Sequence, residues 1–146
     1  MVRAVSLFLV LTLTACAPRL SPPYRDYEVH AELADVTALL REAASDAGWG
    51  LAESLDPAVV TTAPRQVASG LGSRTDAVLD LVPLDGGFVR VYVRAETRSW
   101  LSGRTKVYAL DGDLRRSVLE PLSAALSERG LVPLGTPRDR DEDATE

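Results

Sequence analysis

Few side chains in this chain can do covalent or acid–base chemistry, and their spacing limits what they can do. There is one cysteine, Cys16, and one histidine, His30. A lone histidine excludes multi-histidine metal sites. It also leaves any Ser-His-Asp arrangement resting on a single residue beside a helix start, where a surface position is the expectation. Asp111-Gly112-Asp113 opens like a calcium loop, but that loop needs a glutamate at its twelfth place, and the place holds Leu122. A turn and a helix cap account for these residues instead. Gly70-Leu71-Gly72 lacks the third glycine and the flanking elements of a dinucleotide fingerprint. Asp139 and Asp141 lie among other charges near the C-terminus, where nothing separates their pKa values as acid–base catalysis requires. No catalytic residue, metal or cofactor is assigned, and the chain is read as a non-enzyme.

Cys16 is the exception, because of what precedes it. Arg3 supplies a positive start, Ala4 to Leu13 is an almost unbroken apolar run, and Thr14-Ala15 are small. These are the three parts of an export signal, and the run is too short to span a bilayer. Leu13-Thr14-Ala15-Cys16 resembles the lipobox of bacterial lipoproteins. The resemblance implies that the Cys16 thiol accepts diacylglycerol, that the chain is cut after Ala15, and that the new amino group is acylated. A thiol suits this step because its thiolate is a good nucleophile. Two or more acyl chains, at about 0.8 kcal/mol per buried methylene, make a durable anchor where one does not. In lipoproteins of well-studied enteric bacteria an aspartate after the cysteine favours inner-membrane retention. Ala17 stands there, which leans towards the periplasmic face of the outer membrane.

The totals agree with such an address. The 146 residues carry 16 basic and 21 acidic side chains, a net charge of -5, and removing Arg3 makes the mature chain more acidic still. That excludes a general nucleic-acid binder, which needs a basic footprint. With Cys16 committed to lipid, no intramolecular disulfide is available. No later stretch approaches the roughly 18 consecutive apolar residues of a membrane helix, so the lipid is the expected anchor.

The elements follow from periodicity. Residues 1–15 are the signal and 16–30 a tether, with Pro18, Pro22 and Pro23 favouring extended chain. Tyr24 to Val29 alternates weakly and reads as a short edge strand or more spacer. One domain spans 31–135. Leu33, Val36, Leu40, Ala43 and Ala47 predict a helix over 31–47, closed by Gly48 in a left-handed cap, with Trp49 in the core. Ala58 to Thr62 predicts a strand that Pro64 ends or places at an edge, and Val67 to Thr75 a flexible loop. The firmest expectation is a hairpin of 75–84 with 88–98. Pairing Leu81 with Val91 and Leu79 with Val93 puts all four on one face and leaves Asp85-Gly86-Gly87 as a three-residue loop, with Gly87 at its left-handed position. Thr105 to Leu110 adds a strand. Leu114, Val118, Leu122, Ala125 and Leu126 predict a helix over 114–129 that Pro121 kinks or divides, then Gly130 and a short strand over 131–134. Residues 136–146 form an acidic tail, expected to be disordered.

The expected architecture is a two-layer α+β domain. A three- or four-stranded antiparallel meander carries an N-terminal and a C-terminal helix on one face. With the lipobox, the proline-rich spacer, the helix ending Ala47-Gly48-Trp49, the strand at Val59-Val60-Thr61-Thr62 and the meander before the last helix, this resembles the helix-grip domains of BamC-type lipoproteins of the outer-membrane β-barrel assembly machinery. That family usually carries two such domains, and this chain has one.

Two functional expectations follow. In the first, the membrane holds the chain through Cys16, and a surface on the domain binds another envelope protein. The candidate surface is the outward stripe Arg90, Tyr92, Arg94 and Arg98 with Trp100 beyond it, since arginine and aromatics at period two can meet carboxylates, phosphates or a partner strand. In the second, a cavity between sheet and helices holds an apolar ligand or lipid, lined by Trp49, Leu79, Val91, Val118 and Leu122.

Overall fold

Strands form where β-branched and aromatic residues alternate with polar ones. The computed structural model describes residues 21–30, 35–110 and 112–135, and within them shows eight strands and two helices. In chain order these are β1 (Tyr24–Val29), α1 (Val36–Asp46), β2 (Leu51–Ala52), β3 (Val60–Thr62), β4 (Arg65–Gly70), β5 (Ser73–Leu84), β6 (Phe88–Ser99), β7 (Gly103–Val107), α2 (Gly112–Ser127) and β8 (Leu131–Pro133). The sheet is antiparallel and runs β2-β3-β5-β6-β1-β8, with β4 also against β5 and β7 also against β6. The class is α+β, but the sheet has eight strands rather than three or four. Neither helix is terminal in chain order: β1 precedes α1 and β8 follows α2.

The β5–β6 hairpin pairs as the alternation predicts, Leu81 opposite Val91 and Leu79 opposite Val93. Gly86 and Gly87 both take positive φ, 83° and 81°, in its loop. Along the outer edge of β6, β1 occupies Phe88 to Tyr92 and β7 occupies Ala95 to Ser99. On the far side of β5, β3 and β4 divide the edge in the same way. The long hairpin therefore belongs to two sheet regions, one under the helices and one extending past them.

Three sequence expectations are corrected. Tyr24 to Val29 is not an edge strand or spacer; β1 lies inside the sheet, between β6 and β8. Its alternation is weak because Arg25 shares the inner face with the wholly buried Tyr27. Val67 to Thr75 is not a loop. It is most of β4, a turn at Leu71-Gly72, and the start of β5. Its glycines read as flexibility, but Gly72 at φ 72° serves a tight turn. The first helix starts at Val36, because the Asp35 carboxylate accepts from the Ala38 amide at 2.9 Å and caps it. Residues 31–34 lie outside the described residues, as do the signal, Cys16 and the 136–146 tail.

Both helices bury their stripes on the same face of the sheet. Leu40, Ala43 and Ala44 of α1, and Val118, Leu122 and Leu126 of α2, form one cluster with Leu79, Leu81, Val89, Val91 and Val93. Gly48 closes α1 at φ 78°, as expected. The Gly48 amide donates to Ser45 and the Trp49 amide to Ala44, which turns Trp49 into the core at 2% exposure.

One side chain joins these parts. Pro121 lies within α2 without dividing it, and having no amide it leaves the Ser117 carbonyl without its helical donor. Arg65 Nη2 donates to that carbonyl at 3.2 Å. Its Nη1 donates to the Ala47 and Gly48 carbonyls at 3.0 and 3.1 Å, and its guanidinium stacks 3.7 Å from the Trp49 ring centre. Burial lowers the Arg65 pKa from its ordinary value, yet arginine stays cationic. Arg65→Met keeps the stem and removes the donors. It should cost about 3 kcal/mol in urea unfolding, since three carbonyls lose a charged donor; a cost under about 1 kcal/mol contradicts this role.

On the other side of α2, the Tyr27 hydroxyl and the Ser123 hydroxyl share a hydrogen bond of 2.8 Å. Burial raises the Tyr27 pKa above 10.0, opposed by Ser123 and Arg25. The folded state thus holds this proton more tightly than the unfolded chain. The contribution is complete below about pH 10 and is lost as pH rises through the folded pKa. Tyr27→Phe should cost about 1 kcal/mol at pH 8 and remove this part of the alkaline loss, read as midpoint against pH.

Candidate functional site

The outer face of the sheet carries the stripe that the sequence singled out, and the structure divides it. Arg90 faces Asp26 across β1 and β6 and makes two hydrogen bonds to its carboxylate, 2.7 and 2.9 Å. Its guanidinium also lies 4.1 Å from the centre of the Tyr24 ring, and the Tyr24 and Tyr92 rings are 5.9 Å apart and tilted. The Asp26 hydrogen bond raises the Arg90 pKa above its ordinary value. Arg94 reaches diagonally to Asp80 with bonds of 2.5 and 2.8 Å, and the Thr61 hydroxyl donates to the same carboxylate at 2.9 Å. Arg90, Tyr92 and Arg94 are thus engaged within the sheet and stitch β1, β3, β5 and β6 together.

Arg98 and Trp100 are placed differently, at the far end of β6. There, burial no longer alternates: Ala68 to Gly70 of β4 and Gly103 to Lys106 of β7 are exposed on both faces. This end of the sheet is an arm of β4, β5, β6 and β7. Two turns close it, Leu71-Gly72 and Trp100-Leu101-Ser102. The Trp100 amide donates to the Gly72 carbonyl at 3.2 Å, which sets the turns side by side. A methyl group at Gly72 would fall on the Trp100 indole. Leu71, Trp100 and Leu101 are 107%, 78% and 77% exposed, so three apolar side chains crown the arm.

One step in from the turns, Arg74, Arg98 and Arg104 face one another across three strands. Arg74 pairs with Asp76 at 2.7 Å. Among the described residues, neither Arg98 nor Arg104 has a carboxylate within 4.0 Å. Like charges directly opposite in a sheet oppose pairing. Strand alternation does not single out Leu71, Leu101, Arg74 and Arg104. The available signal was apolar residues at turns, where polar ones are the rule.

The remaining candidates resolve plainly. His30 is exposed, with Nε2 3.3 Å from the Glu28 carboxylate. Asp113 pairs with Arg116 one turn along α2, and Asp111 lies outside the described residues. Among the described residues, no group of three or more histidine, cysteine, aspartate and glutamate side chains could hold a metal ion. The residues expected to line an internal cavity are core: Leu79, Val91, Val118 and Leu122 are fully buried and Trp49 is nearly so. The larger clefts are superficial. One of about 420 Å³ lies between Pro22, Arg94, Glu96, Lys106 and Tyr108. Another, of about 610 Å³, lies between Arg25, Arg115, Arg116 and Ser123. Among the described residues, no helix is long and apolar enough to cross a membrane.

Compared with known proteins, the chain matches no protein-family model and no curated protein sequence. The reading of the arm therefore rests on its own chemistry. Arg104→Glu sets an opposite charge across from Arg98 and should raise stability by about 0.2–1 kcal/mol, measured by urea unfolding at low salt. A destabilised variant contradicts the account of the arginine row.

Proposed function

We propose that this protein is a lipid-anchored, non-enzymatic interaction module of the bacterial cell envelope, and that the arm is its contact element. The observation that carries this reading is the exposed tip Leu71, Trp100 and Leu101 at the end of the arm. Folded chains rarely gather large apolar side chains at turns without something to meet them. The anchor rests on Leu13-Thr14-Ala15-Cys16, with lipid on Cys16 and cleavage after Ala15. The domain is read as helix-grip-like, in keeping with the BamC-type resemblance, with envelope assembly as its setting and the periplasmic face of the outer membrane as its place.

A second envelope protein has a seat at the base of the arm, away from the tip. Among the described residues β7 has one edge unpaired, and Tyr108 and Lys106 border the cleft next to it. An exposed edge with adjacent aromatic and cationic side chains suits strand addition. The apolar-ligand alternative would use Trp49, Leu79, Val91, Val118 and Leu122, which are buried in the shared core of sheet and helices.

A photo-crosslinking residue in place of Tyr108, used in growing cells, tests this reading. The expected result is one discrete adduct that forms with wild-type Cys16, is lost with Cys16→Ser, and accompanies palmitate labelling of the wild type alone. Labelled chain without any adduct contradicts the partner, and unlabelled wild type contradicts the anchor.

A further inference from the structure

The start of β1, the end of β8 and the arm lie at the same end of the domain. β1 runs antiparallel to β6 with Tyr24 opposite Tyr92, so the chain before Tyr24 heads towards Ser99. Two contacts fix that course: the Val93 amide donates to the Pro23 carbonyl at 2.8 Å, and Pro22 shares a cleft with Arg94 and Tyr108. Pro22 is therefore level with Arg94. From Arg94 to Trp100 is six residues of strand, about 20 Å. From Pro22 back to Cys16 is also six residues, a reach of at most about 20 Å. Those six residues are thus long enough to bring a lipid on Cys16 to the level of the arm's tip.

From this geometry we infer that the tip, Leu71, Trp100 and Leu101, enters the interface of the same bilayer that holds Cys16, with Arg98 and Arg104 against its anionic headgroups. The inference rests on the anchor proposed above and names what the arm contacts. Tryptophan favours the membrane–water interface, where an apolar ring and a polar N–H are both satisfied. Leucines beside it add apolar area, and cations one strand step behind meet headgroup phosphates. The arginine row, unfavourable in isolation, gains counter-charge there. The tail at 136–146, which carries five acids, is a rival occupant, because the Leu134 amide donates to the Asp26 carbonyl at this end of the sheet. Acids answer the arginines but leave the three apolar side chains uncovered.

Fluorescence separates these cases because the two tryptophans differ so much. Trp49 is buried and Trp100 exposed. The purified full chain, its Cys16 lipid confirmed by mass, is reconstituted into vesicles of phosphatidylcholine and phosphatidylglycerol with brominated acyl chains. The wild type should show blue-shifted emission that bromine quenches. Trp100→Ala should lose both effects, leaving the unquenched Trp49 signal. Arg98→Glu with Arg104→Glu should return Trp100 to water-like emission, and so should high salt in part.

Lipidated chain with unquenched Trp100 overturns the inference and leaves the anchor standing. Quenching that appears only after residues 136–146 are removed also overturns it, by assigning the row to the tail. Chain without lipid on Cys16 fails the anchor reading, and the inference with it.

Discussion

Arg65 is the constraint on which the other parts depend. A helix whose proline leaves a carbonyl free, a helix end with carbonyls turned out, and a buried indole would each be a liability alone. One guanidinium donates to Ser117, Ala47 and Gly48 and covers the face of the Trp49 ring, whose buried Nε1 is left without a hydrogen-bond partner among the described residues. Five donors in a rigid fork make arginine suited to this and lysine not. Arg65 is also the first residue of β4, so the contact that locks the helices starts one outer strand of the arm. Just beyond it the β4–β5 register shifts between Gln66 and Ala68 as the strands enter the arm.

The outer face shows the same economy with a different result. On the half of the sheet under the helices, each arginine of the stripe has a carboxylate: Asp26 for Arg90 and Asp80 for Arg94. On the arm the pattern breaks. Arginine faces arginine, and the turns carry leucine and tryptophan. Half-exposed bidentate pairs align strands and contribute modestly to stability, whereas a like-charged row and an apolar tip are features of an unfinished surface. The division of labour falls along one strand, β6, which is structural through Ala95 and carries the arm's exposed Arg98 near its end.

Much of the fold was legible in the sequence because local chemistry and face parity agreed. The β5–β6 register followed from Leu79, Leu81, Val91 and Val93 together with Asp85-Gly86-Gly87. Gly48 and Gly130 end the two helices as their positions implied, both at positive φ. What escaped was set by tertiary contact. β1 looked marginal because its inner face holds Arg25 beside Tyr27, and only its place between β6 and β8 makes it central. β4 has almost no apolar residues because the arm is solvent-exposed, so it lacked the alternation that marks half-buried strands. The role of Arg65 depends on Pro121, 56 positions away, and no periodicity connects them. The candidate stripe was found as a stripe, but its partners Asp26 and Asp80 lie on other strands, which is why Arg90 and Arg94 looked available.

The central claim is that one end of the domain, with the tethered N-terminus and the arm's turns, faces the membrane. Hydrogen–deuterium exchange on the full lipidated chain, compared between detergent micelles and anionic nanodiscs, tests it directly. The account predicts added protection on the nanodisc in the Leu71-Gly72 and Trp100–Ser102 turns. It predicts no change in the Asp85–Gly87 turn at the opposite end of the same hairpin. Protection at Asp85–Gly87, or none at the two arm turns, would contradict it.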